Sequence, residues 1–180
     1  MRTTALEVLA GNLAKLEKSL KWLDRSFGRC STIGLKEDYT EEDFDDFENL
    51  TSRYARTTDL ITNKILRSID AVEFLEPGSA IDAANRAEKR GIIESVAALR
   101  DLRDLRNDIA HEYETDDLRS LFSSVLSATP LVLETAERIA SYCTMHFGTS
   151  SSMNRTGWMG KETEGRNARV WQGRNRSGRP

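Results

Sequence analysis

The chain has 180 residues, 38% of them apolar, and a formal charge of −3. That length supports one domain with a real core and is too short to expect two. No apolar run reaches the roughly 18–20 residues of a membrane span, and no signal-like apolar block opens the chain, so the sequence predicts a cytoplasmic protein with no membrane partner.

In chain order, Leu6, Leu9, Leu13, Leu16, Leu20, Leu23 and Phe27 recur at alternating steps of three and four. Glu7, Lys15, Lys18 and Lys21 fall mostly off that stripe, which predicts an amphipathic helix of about six turns suited to bundle packing. Gly28 and the stretch Ser31 to Gly34 are expected to stop it. After a loop, Thr40 is positioned to cap a second helix whose first turn, Glu41, Glu42 and Asp43, meets the exposed amides favourably. Phe44, Phe47, Tyr54, Ile61, Ile65 and Ile69 give that helix an apolar face as far as Glu76, with Pro77-Gly78 as its terminator. Arg53, Arg56 and Asp59 lie beside this face at mid-helix, where they are expected either to pair structurally or to support a site on a facing helix.

A short third segment, Asp82 to Lys89, is closed by Gly91, and a fourth begins near Ile92 with Val96, Leu99, Arg106, Ile109 and Tyr113 inward. The last runs from about Thr115 to Phe147, with Pro130 expected to bend or split it. Cys30 and Cys143 lack metal-ligand spacing and read as free thiols. The fold class expected is therefore all-α, an up-and-down-like bundle of four long helices plus a short one over residues 1–148.

Residues 149–180 differ in kind. Seven Lys or Arg against Glu162 and Glu164 make this tail +5 and leave −8 on the first 148 residues. Five glycines and no apolar periodicity read as a disordered extension. Trp158 and Trp171 among the arginines allow a second reading, base stacking with phosphate capture.

The densest chemistry is Arg106-Asn107-Asp108-Ile109-Ala110-His111-Glu112-Tyr113, which puts a permanent cation, a titratable base and a phenol within two turns. The only other histidine is His146, so His111 is the candidate for acid/base work. Asn107 lies one turn before it and Asp104 two turns before on nearly the same ridge, and either is able to orient the ring. Arg106 and Tyr113 share a face, whereas His111 is displaced by about 140° from Arg106 on a straight helix. Bringing Arg106 and His111 to one atom therefore needs long side-chain reach, fraying at the helix end, or a twofold-related second copy. Arg100, Arg103 and Arg106 at three-residue steps predict a basic ridge. No metal-ligand set surrounds His111 and no glycine-rich phosphate loop occurs, so neither metal nor cofactor is expected.

The Arg-x4-His-x-Tyr pattern resembles the signature of the HEPN superfamily, most closely its HepT-like branch of small helical ribonuclease toxins. The stretches Ala87 to Ile93 and Leu99 to Leu105 are similar to the approach to that motif. The resemblance implies a symmetric dimer with a composite site between protomers. It implies metal-independent cleavage of an RNA substrate, with Arg106 on the scissile phosphate and His111 as acid or base. It also implies a partner, a minimal nucleotidyltransferase antitoxin that transfers AMP to Tyr113 and silences the site; ATP and magnesium belong to that partner's reaction. The alternative within the same resemblance is a noncatalytic bundle that binds and positions a nucleotidyltransferase. A purely structural oligomerisation module would need the apolar seams without the polar cluster.

Overall fold

The structure, a computed structural model, describes residues 2–111 and 118–149. Among these residues every regular element is helical: α1 (Arg2–Ile33), α2 (Glu41–Leu60), a wide π turn (Ile61–Ile65), α3 (Leu66–Val72), α4 (Ala80–Lys89), α5 (Val96–His111) and α6 (Leu118–Phe147). The long helices α1, α2 with α3, α5 and α6 enclose one core and α4 closes one end, as the apolar periodicity predicts. No described helix is long and apolar enough to cross a membrane.

The leucine stripe of α1 is the centre of that core: Leu9, Leu13, Leu16, Leu20 and Leu23 are all buried against α2, α3 and α6. Each such side chain contributes roughly 1.5–3 kcal/mol on removal from water. Gly28 does not stop the helix. The buried face continues through Ser26 and Cys30, and this burial outweighs the roughly 1 kcal/mol that a helical glycine costs. The stop is Gly34, at φ +68°, whose N–H donates to the Cys30 carbonyl at 2.9 Å.

Thr40 caps α2 as expected, and Asp43 returns the bond to the Thr40 N–H at 3.0 Å. That backbone bond, with Lys36 beside it, holds the Asp43 carboxyl below the usual carboxylate range. Tyr39, Phe44, Phe47 and Phe122 meet ring to ring, with Phe47 and Phe122 stacked at 4.2 Å, and fasten the α1–α2 loop to α6.

The second rod ends at Val72, four residues before the expected Glu76. Phe74 adopts a left-handed φ of 58°, and the Leu75 N–H donates to the Asp70 carbonyl at 3.0 Å. The residue before Pro77 is itself biased away from helix, so the chain turns early. The wide turn at Ile61–Ile65, in which the Leu66 N–H reaches back to the Ile61 carbonyl, has no signal in the apolar pattern.

Helix α5 starts at Val96 rather than Ile92, because Ser95 supplies its cap by accepting from the Ala98 N–H at 3.0 Å. Ile92 and Ile93 are buried core residues ahead of it. Pro130 does not divide α6. It sits on the exposed side, while Val125, Thr129, Val132 and Leu133 keep the buried side continuous. Cys30 and Cys143 are free and buried, and burial pushes both thiols up to about 12, well away from the reactive thiolate.

Candidate active site on the fifth helix

Two side chains of α2 fix α5. Tyr54 is fully buried, and its hydroxyl donates to the Leu102 carbonyl at 3.1 Å. Burial pushes this phenol well above its ordinary range, which favours its neutral, donating form. One turn along α5, the carboxylate of Asp59 accepts from Arg106 through Nε at 3.0 Å and Nη2 at 2.7 Å. The contacts are five residues apart on α2 and four apart on α5, so they set both the height and the rotation of the motif helix.

Arg106 is held without being buried: its side chain is 35% exposed and that of Asp59 38%. Asp59 takes the Nε–Nη2 edge, while Nη1 donates to Asn107 Oδ1 at 3.3 Å. A guanidinium carries five N–H donors in a planar fork, so the Nη1–Nη2 edge remains chemically suited to an oxyanion. Asn107 thus turns its carbonyl to Arg106. Asp104 is exposed, as are Arg100 and Arg103, with Arg106 half-buried at the end of that ridge.

The described part of α5 runs to His111. The side chain of His111, and Glu112 and Tyr113 entirely, lie outside the described residues, as does the tail from residue 150. Of the predicted site residues the structure therefore brings Arg106 and Asn107 together. It adds Asp59, one of the three polar residues noted at mid-α2, as the direct anchor of Arg106. Arg53 and Arg56 do not join it: Arg53 donates to Ser26 Oγ and the Trp22 carbonyl on α1, and Arg56 to Ser52. Tyr54 was legible only as a member of the apolar face; its anchoring role depends on what α5 presents opposite it.

A second polar cluster lies at the α3–α4 end. Asp70 is 6% exposed and receives Arg86 at 3.1 Å and Arg90 at 2.6 Å. Arg90 also pairs with Glu73 at 2.7 Å, and the Tyr142 hydroxyl of α6 donates to the other Glu73 oxygen. Burial alone would lower the Arg90 pKa, but Glu73 and Asp70 together outweigh it and hold the guanidinium charged. This network ties α3, α4 and α6 together.

No protein-family model, curated protein or solved structure matches the chain. What the fold and site define is therefore a class by architecture: a single helical bundle that presents one half-exposed, carboxylate-anchored arginine near the end of its fifth helix.

Proposed function

We propose that the chain is a metal-independent endoribonuclease of the HepT-like kind, acting as the toxin of a toxin–antitoxin pair and working as a symmetric dimer. The observation that carries this reading is the setting of Arg106: fixed in rotation by Asp59, open to solvent, and one and a half turns ahead of His111 on the same helix. Arg106 binds the scissile phosphate through the Nη1–Nη2 edge that Asp59 leaves, in place of its contact with Asn107, and stabilises the charge that gathers on the phosphoryl oxygens. His111 moves a proton, either from the ribose 2′-hydroxyl or to the departing 5′-oxygen. The 2′-oxygen bonds to phosphorus as the bond to the 5′-oxygen breaks, leaving a 2′,3′-cyclic phosphate and a 5′-hydroxyl. Because positions 106 and 111 are offset by about 140° at α-helical pitch, a second protomer is the partner that completes the site.

Purified chain incubated with end-labelled RNA in the presence of chelator is expected to give products ending in 2′,3′-cyclic phosphate, and His111→Ala is expected to stop it without unfolding the bundle. An intact RNA panel, with the chain still binding a nucleotidyltransferase, would favour the noncatalytic positioning role instead.

Silencing by AMP rests on Tyr113, seven residues after Arg106 in the sequence. The phenol oxygen attacks the α-phosphorus of ATP on the partner, pyrophosphate leaves, and the added phosphodiester brings negative charge and bulk to the place where RNA phosphate must enter. Mass spectrometry after incubation with the partner, ATP and magnesium is expected to find AMP on Tyr113, with none on Tyr113→Phe. Full modification without loss of cleavage would overturn this regulation.

A further inference from the structure

On the α1 surface, Lys15, Lys18, Trp22, Arg25 and Arg29 recur at steps of three and four, a cationic stripe running beside the buried leucines. Trp22 is an exposed tryptophan, 50% accessible, in its middle. Two guanidiniums lie against its ring, Arg25 at 5.5 Å and Arg53 of α2 at 5.2 Å from the centroid. Arg53 is braced there by Ser26 Oγ and the Trp22 carbonyl, so this wall of the patch is preformed.

The local charge is positive although the first 148 residues carry −8. At the far end of the stripe two acids of α2, Asp46 and Glu42, pair with Arg29. Arg53 itself records the balance. Burial lowers its pKa first, then Arg25, Arg56 and Arg29 lower it further, and Asp46 opposes them as the smallest of these influences. Arg56 is exposed on the outer face of α2, between Arg53 on the α1 flank and Asp59 on the α5 flank. Arg53 and Asp59 are six residues apart, about 9 Å along the axis. Arg53 and Arg56 therefore lie on α2 between Trp22 and the Asp59–Arg106 pair.

We infer that Trp22, Arg25 and Arg53 form a single-strand RNA subsite, in which a base stacks on the Trp22 ring and the flanking phosphates lie on the guanidiniums and on Lys18. This rests on the reading of RNA as substrate and adds to it where the strand enters. The half-exposed indole and the two guanidiniums lying over it offer π and cationic surfaces side by side, which match a nucleobase with its phosphate, since every base offers a π face and guanidinium matches both a base face and phosphate geometry. An acidic peptide would use the cations and leave the ring without a partner of its own kind. A membrane surface would want several apolar side chains around Trp22, where Lys and Arg stand instead.

The chain has three tryptophans, so Trp158→Phe with Trp171→Phe leaves Trp22 as the single tryptophan in the otherwise full chain, excited at wavelengths its tyrosines do not absorb. In a His111→Ala background, in which cleavage is expected to stop, a single-stranded oligoribonucleotide is expected to quench Trp22 fluorescence on binding. Trp22→Ala is expected to weaken binding about tenfold by anisotropy, whereas Trp22→Phe retains most of it. Arg25→Ala and Lys18→Ala are each expected to flatten the dependence of log K on log salt by about 0.7. All three side chains are exposed, so an unchanged thermal midpoint separates binding from folding. Because none of these readings needs cleavage, they distinguish failure of the subsite from failure of the nuclease. Unquenched Trp22 with undiminished affinity in Trp22→Ala overturns the subsite even in an active enzyme. Loss of nucleotidyltransferase binding in Trp22→Ala, with RNA affinity intact, would reassign the patch to a protein interface and overturn it equally.

Discussion

Arg106→Ala is expected to lower the rate of RNA cleavage by about a hundredfold to a thousandfold, the usual loss when one donor to a developing oxyanion is removed. Its effect on stability is expected to stay within about 1 kcal/mol, because more than a third of each partner in the Arg106–Asp59 pair is exposed and solvent screens the pair. Asp59→Ala separates positioning from chemistry. The guanidinium keeps its charge but loses the bond that sets its direction, so kcat is expected to fall about tenfold with little change in KM. Asp59→Asn, which keeps one acceptor oxygen for Arg106, is expected to recover part of that loss. Single-turnover cleavage beside urea denaturation reads both quantities on the same samples. Equal rates for wild type and Asp59→Ala would mean that the pair holds α2 to α5 and nothing more.

The largest stability effect is expected at Arg90. Arg90→Ala leaves Asp70, 6% exposed, without its closest cation, and Glu73 without the partner it shares with Tyr142. Breaking one side of a buried ion pair typically costs about 3–5 kcal/mol, a large part of a domain's total stability. The urea midpoint should fall accordingly while the slope of the transition is kept. A shift under 1 kcal/mol would show that Arg86, which still pairs with Asp70, or water compensates for the lost cation. The same network makes the folded chain sensitive to alkali. Burial, then Glu73, pushes the Tyr142 phenol up to about 12 from an ordinary 10. An unfolded chain releases that proton earlier, so the contribution is intact below about pH 10 and is lost as pH rises through 12.

The elements of the fold were legible because apolar side chains at steps of three and four report which face of a helix is buried. The α1 stripe, the Thr40 cap and the free buried thiols followed from such local signals. Helix ends were less legible, since Gly28 and Pro130 carry breaker propensities of a few kcal/mol at most, which a continuous buried face can override. The candidate site was legible in part. The octapeptide names Arg106, and the position of Asp59 beside the α2 stripe marks it as able to reach a facing helix. Periodicity along one helix, however, says nothing of the azimuth of its neighbour, so the choice of Asp59 over Arg53 and Arg56, and the Tyr54 bond to Leu102, depend on tertiary packing. Trp22 escaped notice for a related reason: its steps of three and four from Lys15, Lys18, Arg25 and Arg29 were visible, but Arg53 comes from another helix.

The wide turn at Ile61–Ile65 divides one rod between two masters. Upstream, α2 must hold the rotation that aims Asp59 at Arg106; downstream, α3 must hold the one that aims Asp70 at Arg86 and Arg90. A uniform α-helix would lock these two angles together through its fixed pitch, whereas one turn closed over five residues shifts the phase of everything after it. The turn is thus a coupling that lets the candidate site and the ion-pair cluster each keep its own angular setting. Shortening it by one residue would turn α3 by about 100° relative to α2 and leave one end of the rod misaligned.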